Sequence, residues 1–404
     1  MQRLFKEVTE LEGGLPDLGF ALCQKVKKSG YWDPRVEDHS FRIALNPYIV
    51  SSREFNQLEQ IGSIVYKAYN NLDNELSMQA SNQEIIRLKS LLNTGIDRRF
   101  RNVQYLRPQM PRIMKVDLVK DADDRFWVVE VDSVSKHGWG LTVLMNKELA
   151  DHDKLRGICS VLIDWINGHK NESTLISASH EHFYLPEFKI LQETLGRNGY
   201  FLRVKEEPIL APEITKAVID IPSLYRSESK ELELMLEAYR NGEMDCFLPP
   251  KPYLSSKLTL LAAMERSASL REKVPAMKRI NKQFASEDYW DKFTQENGAD
   301  HVLKRVVSSG SREIAFSYDK GWFTRLEKAC NNPGNYLLQE AINSKEETFD
   351  WIDQDGAIRL ADENYHCRYT AYYSDGELID LRVIANQSMI VHGAVDSIQL
   401  PTTV

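Results

Sequence analysis

Residues 111–140 read PRIMKVDLVKDADDRFWVVEVDSVSKHGWG, the pattern of a β-hairpin followed by a glycine-punctuated loop. Met114 to Lys120 and Phe126 to Val134 are rich in β-branched and aromatic residues, and Asp121-Ala122-Asp123-Asp124 has the chemistry of a turn. Strand alternation puts Phe126, Val128, Glu130 and Asp132 on one face, and Trp127, Val129 and Val131 on the other. A turn centred on Ala122-Asp123 sets Lys115 opposite Glu130, with Asp117 diagonal to it on the same face. Three carboxylates and one cation then meet on a half-apolar wall. Two readings of that cluster are open. It is an ordinary cross-strand ion pair with solvated aspartates, or a set of charges whose burial is offset by bound divalent cations.

The totals narrow the class. A chain of 404 residues is long enough for two or three domains or one multi-lobed enzyme. Its 42% hydrophobic and 27% charged content is that of an ordinary globular protein. A formal net charge of -8 argues against general nucleic-acid binding, which needs a basic face for counterion release. The cysteines Cys23, Cys159, Cys246, Cys330 and Cys367 are scattered without CxxC spacing, which points to reduced thiols and no zinc site. Met1 to Gly14 lacks an apolar h-region and no run has the length of a membrane span, so the expected location is the cytoplasm.

Outward from the hairpin, Ser51 and Glu54 have capping-box spacing. Phe55, Leu58, Ile61, Val65, Ala68 and Leu72 continue it as a long amphipathic helix, and Glu84 to Leu92 reads as a second. Leu149 to Gly168 reads as helix. Leu175-Ile176-Ser177, a helix from Pro186, Tyr200 to Val204 and Ala217 to Ile221 then alternate as a small open α/β domain. His180 and His182 follow its first strand, where such sheets bind ligands, and also read as plain loop residues. Pro249-Pro250-Lys251-Pro252 is a stiff junction before a helix at Leu258 to Leu270. The remainder is antiparallel in character: His301 to Val307, Glu313 to Tyr318, Tyr336 to Ile342, Cys367 to Tyr373 and Leu378 to Ala385. Ser374-Asp375-Gly376-Glu377 is a hairpin turn.

Chemistry recurs in the late strands. Lys304 lies in one strand and is followed by Ser308-Ser309-Gly310-Ser311, a small-residue loop whose N–H groups can approach phosphate oxygens. Gln339-Glu340 closes an apolar strand, where a polar pair offers hydrogen bonds to an adenine edge. Each feature also has a bland reading as a surface hairpin or an edge strand.

Taken in order, these pieces resemble a circularly permuted ATP-grasp family, similar to the synthetase domain of glutathionylspermidine synthase. The resemblance spans about Leu45 to Asn386. It implies an α/β (α+β) fold with an antiparallel-sheet ATP lobe and an inserted pre-ATP-grasp α/β domain. The expected division is 1–100, N-terminal helices; 101–150, metal-binding hairpin and central sheet; 151–250, the α/β domain; and 251–404, the lysine, lid and hinge lobe. Lys115-Val116-Asp117 stands where the family has R-x-D, and Glu130-Val131-Asp132 where it has E-x-N. The resemblance implies that Asp117, Glu130 and Asp132 hold one or two Mg²⁺ ions. It assigns Lys257, Lys304, the lid Ser308, Ser309, Gly310 and Ser311, and the hinge Gln339, Glu340, Ala341 and Ile342 to ATP, with Glu346 or Glu347 at the ribose.

Lys115 replaces an arginine and cannot make its bidentate fork, so either Lys115 suffices or Arg107 or Arg112 takes that role. Asp132 replaces an asparagine and remains a hard-oxygen donor. Lys115, Arg112 or Arg382 would stabilise an oxyanion, and Arg368 and Arg382 match the family's late arginine-bearing strands. The expected function is an ATP-dependent carboxylate–amine ligase working through an acyl phosphate on small-molecule or peptide substrates. A nucleotide-binding protein without ligase activity is the alternative, and a hydrolase using Glu130 with Asp117 or Asp132 is a third class.

Overall fold

The computed structural model describes residues 15–32, 40–78, 82–146, 155–169, 173–206, 217–226, 230–307, 313–361, 363–391, 393 and 395–404. A nine-stranded, mainly antiparallel sheet forms its centre. The strands Met114–Lys120 and Phe126–Asp132 lie at one edge, paired to the long hairpin Tyr365–Ser374 and Glu377–Asn386. The turn of that hairpin carries Asp375 and Gly376 at positive φ, 51° and 90°, the backbone that a two-residue connection demands. One ladder, Arg42–Ala44 with Ile398–Leu400, is parallel.

One face of this sheet is apolar for a local reason. Val116, Leu118, Tyr369, Ala371, Leu381 and Val383 alternate onto it, and Leu58, Ile61, Val65, Tyr69, Leu72 and Leu76 of the helix Ser52–Met78 cover them. The expected capping box starts that helix: Ser51 N–H donates to Glu54 Oε2 at 2.9 Å and Glu54 N–H to Ser51 Oγ at 3.3 Å. On the other face, Lys115, Asp117, Arg368, Thr370 and Arg382 alternate along the same strands, and Tyr372 joins a second apolar cluster.

The hairpin departs from the expected register. The structure pairs Lys115 with Asp132 and Asp117 with Glu130, not Lys115 with Glu130. Two local causes add up. The turn centres on Asp123, with Lys120 opposite Phe126, and Val129 is an extra residue between the Leu118–Val128 and Asp117–Glu130 pairs. That β-bulge also inverts the alternation, so Phe126 and Val128 join the apolar core with Val131, while Glu130 and Asp132 face the other way. The predicted half-apolar wall is therefore corrected: the charges share a face without those two side chains.

Two four-stranded sheets flank the centre. Arg203–Glu206, Ser173–Ser177, Ala217–Asp220 and Asp245–Leu248 form a parallel sheet in that spatial order. Its second strand starts at Arg203 where the sequence suggested Tyr200, and its fourth strand was not foreseen. The helix expected from Leu149 begins at Gly157 among the described residues. The other sheet orders Ala315–Phe316, His301–Arg305, Tyr336–Glu340 and Met277–Arg279, all antiparallel. Ser308, Ser309, Gly310 and Ser311 lie outside the described residues.

Candidate functional site

Cross-strand pairing lines up polar side chains in rungs across four strands. Arg382, Thr370, Asp117 and Glu130 form one rung. Asp380, Tyr372, Lys115 and Asp132 form the next, and Ile384, Arg368, Val119 and Trp127 lie on the other side. Paired residues in antiparallel strands point to the same face, so pairing alone brings Lys115, Asp117, Glu130, Asp132, Arg368 and Arg382 together.

Each carboxylate has its own partners. Asp117 accepts from Thr370 Oγ1 at 2.7 Å and lies 4.0 Å from Arg368 Nη1. Burial works to raise its pKa, but Arg368 and Lys115 outweigh that and hold it below the usual carboxylate range. Asp132 is 3.0 Å from Lys115 Nζ. Burial opposes its ionisation too, and the Lys115 charge overcomes it. Glu130 is 2.9 Å from Lys257 Nζ. Among the described residues, no group of three His, Cys, Asp or Glu side chains is close enough to hold a metal ion.

The lysines come from the far end of the chain. Lys257 opens the helix Lys257–Arg266, capped by Ser256 Oγ accepting from Leu258 N–H, and its own N–H donates to Val306 O at 3.1 Å. That bond ties the helix to the strand carrying Lys304. Lys304 Nζ donates to Gln339 Oε1 at 2.5 Å and to Val129 O at 3.1 Å. The Val129 carbonyl belongs to the bulge residue, which the ladder leaves unpaired, so the same irregularity that resets the register makes a landing point for Lys304. Burial pushes Lys304 down from the ordinary lysine value to about 8; Glu130 and Asp117 pull it up, and Lys257 pushes it further down.

Gln339 faces this side of its strand and is 1% exposed, with Nε2 buried and unpartnered. Glu340 points the other way and its Oε2 accepts from Ala276 N–H at 3.4 Å. Ala341 N–H donates to Asp300 O. Ile342 is half-buried. Glu347 is 2.9 Å from Lys120 on the opposite, core-side face of the hairpin.

Arg382 joins the polar face and donates from Nε and Nη2 to Gln399 Oε1 at 2.9 and 2.8 Å. Arg112 does not. It is exposed, 5.9 Å over the Trp165 ring, and lines a cavity of about 570 Å³ with Arg107 and His169.

Sequence reading missed a second charged group beside this face. In the loop after the hairpin, Lys136 is 0% exposed and lies 2.8 Å from Glu181 and 2.6 Å from Asp220. Next to it, His137 Nε2 is 2.6 Å from Glu181 Oε1, and its ring stacks on Tyr184 at 3.8 Å and 12°. Gly138, at φ 93°, donates its N–H to both oxygens of Glu187. A side chain is strained at that φ, and its Cβ would stand 2.7 Å from Arg382 Nη1 and Tyr372 Oη. The run Lys136-His137-Gly138 was a visible signal, whereas Glu181, Asp220 and Glu187 are remote in sequence. Glu181 sits between His180 and His182, the residues that drew attention in the sequence.

No protein-family model matches the sequence, and no curated protein matches it. Among solved structures, the chain is similar to a glutathione synthetase-like effector from Globodera pallida, at TM-score 0.55 and 13% identity, over 97% of this chain and 100% of that one. A D-cycloserine synthetase aligns at TM-score 0.31 and 11% identity, over 52% of this chain and 90% of that one. At 13% identity the first likeness is one of fold. No helix among the described residues is long and apolar enough to cross a membrane.

Proposed function

We propose that this chain is an ATP-dependent carboxylate–amine ligase of circularly permuted ATP-grasp type, forming an amide through an acyl phosphate. The observation that carries this reading is the ion pair of Lys257 with Glu130 of the hairpin, next to Lys304 on the carbonyl of the adjoining Val129. A lysine held by two neutral acceptors beside another lysine is short of negative charge, and a triphosphate supplies it. The fold likeness to a glutathione synthetase-like protein agrees with the reading.

The donor set fits a magnesium nucleotide. Asp117 and Glu130 are paired across the hairpin, and Mg²⁺ commonly takes one or two carboxylates, with phosphates and waters completing its shell. When bound, that ion neutralises charge on the transferring phosphoryl group. Lys257 would exchange its bond to Glu130 for one to phosphate, Lys304 would remain beside it, and Gln339 Nε2 is free to donate to the nucleotide. Asp132, the third expected ligand, is one rung away and pairs with Lys115. Lys115 and Arg382 flank the carboxylates and would stabilise the oxyanion that forms on the substrate carbonyl.

The test is Mg-ATP-dependent stabilisation in thermal unfolding, followed by ADP release over a panel of carboxylates and amines. Glu130→Gln should lower ADP release on the order of 10²- to 10³-fold with the fold intact. A wild-type chain that neither gains thermal stability nor turns over Mg-ATP would sink the reading.

A further inference from the structure

The parallel sheet has its topological switch point between its first strand, Ser173–Ser177, and its third, Ala217–Asp220, because the second strand pairs on the opposite side of the first. In open α/β sheets, ligands bind in the crevice outside the carboxyl ends of the strands at such a point. Here Asp220 ends the third strand and Glu181 follows the first, and Lys136 from the hairpin loop fills the depth of the crevice by binding both. His137, the next residue, is left at the mouth with its side chain 27% exposed.

The surroundings of His137 specify its chemistry. Burial works to raise the Glu181 pKa, but the Lys136 charge and the hydrogen bond from His137 outweigh it, so the carboxylate stays ionised. An ionised Glu181 can only accept from Nε2, at 2.6 Å, so in the neutral imidazole the lone pair lies on Nδ1. Tyr184 clamps the ring from one face. Burial and Glu187 push the Tyr184 phenol up to about 12, so it stays protonated at neutral pH and does not compete as a base. The adjoining Gly138 brings this group to the reaction face, its Cβ position lying 2.7 Å from Arg382 Nη1 and Tyr372 Oη. Orienting carboxylate, imidazole and an open position beside the reaction face make up the usual frame of a general base.

We propose that His137, oriented by Glu181 and seated on Tyr184, takes the proton of the ammonium substrate at the switch-point crevice. This rests on the ligase reading and adds the group that deprotonates its amine acceptor. One N–H proton of the ammonium passes to His137 Nδ1. The freed lone pair forms the C–N bond at the acyl-phosphate carbonyl, whose π electrons move to oxygen. Collapse breaks the carbon–oxygen bond to phosphate, which departs with that electron pair and the second ammonium proton. Glu181 is a positioning residue throughout.

Hydroxylamine separates this step from the ligase reading, because it is uncharged and nucleophilic at neutral pH and needs no base. Wild type and His137→Gln are given Mg-ATP, a mixture of amino-acid and dipeptide carboxylates, and either hydroxylamine or a panel of α-amino acids and alkyl diamines. The ratio of amide to hydroxamate should fall on the order of 100-fold in His137→Gln. An unchanged ratio overturns the proposal and leaves the ligase standing. Equal loss of both products also overturns it, placing His137 in an earlier step or in the fold. A wild-type chain that makes neither product removes the ligase reading and this proposal together.

Discussion

Lys136 and Lys304 are both buried lysines, and they differ in what surrounds them. Lys136 lies between Glu181 and Asp220, and its charge is held despite burial. Lys304 has a backbone carbonyl and an amide oxygen, and burial drives it down to about 8. The first is a finished internal lock, joining the hairpin loop to the parallel sheet. The second is an incomplete one. A buried cation without a carboxylate at ion-pair distance is costly in the free protein, and an anionic ligand removes that cost. Lys120, bound by Glu54 and Glu347 at 2.9 Å each, belongs with Lys136.

The contrast breaks most visibly in stability. Lys136→Met should destabilise the fold by about 3 to 5 kcal/mol, since Glu181 and Asp220 stay buried without their cation. Denaturant unfolding measures it, and a loss under about 1 kcal/mol would deny Lys136 its role as a lock. Lys304→Met should leave unfolding unchanged or shifted towards higher stability, while Mg-ATP affinity falls ~10- to 100-fold, or about 1.4 to 2.8 kcal/mol. Isothermal titration reads that affinity, and a destabilised variant that still binds would reverse the assignment of the two lysines.

The smallest effect is a pH dependence. Between about 8 and the ordinary 10.5, the unfolded chain keeps a proton on Lys304 that the folded chain has lost. Unfolding then takes up a proton, so this group's contribution makes stability rise with pH across that window. Nucleotide affinity should move the opposite way, falling by up to about tenfold per pH unit as Lys304 loses its charge. Lys304→Met should flatten both trends. Lys136, whose pKa is raised, contributes fully below the unfolded lysine value and loses its contribution only as pH rises beyond it.

What the sequence determined by itself is local. The capping box at Ser51 and Glu54, the apolar stripe of the following helix, and the shared face of Lys115 with Asp117 and of Glu130 with Asp132 follow from periods of 3.6 and 2 within single segments. The turn at Asp375-Gly376 was legible for the same reason. Tertiary structure alone decided the bulge at Val129, whose carbonyl the ladder leaves to the incoming Lys304. It also decided that Arg112 leaves the site, that Lys257 meets Glu130 and Lys304 the Val129 carbonyl, and that Glu181 and Asp220 enclose Lys136. Those contacts join residues tens to well over a hundred positions apart, and Coulomb attraction across a folded cleft leaves no periodic trace along the chain.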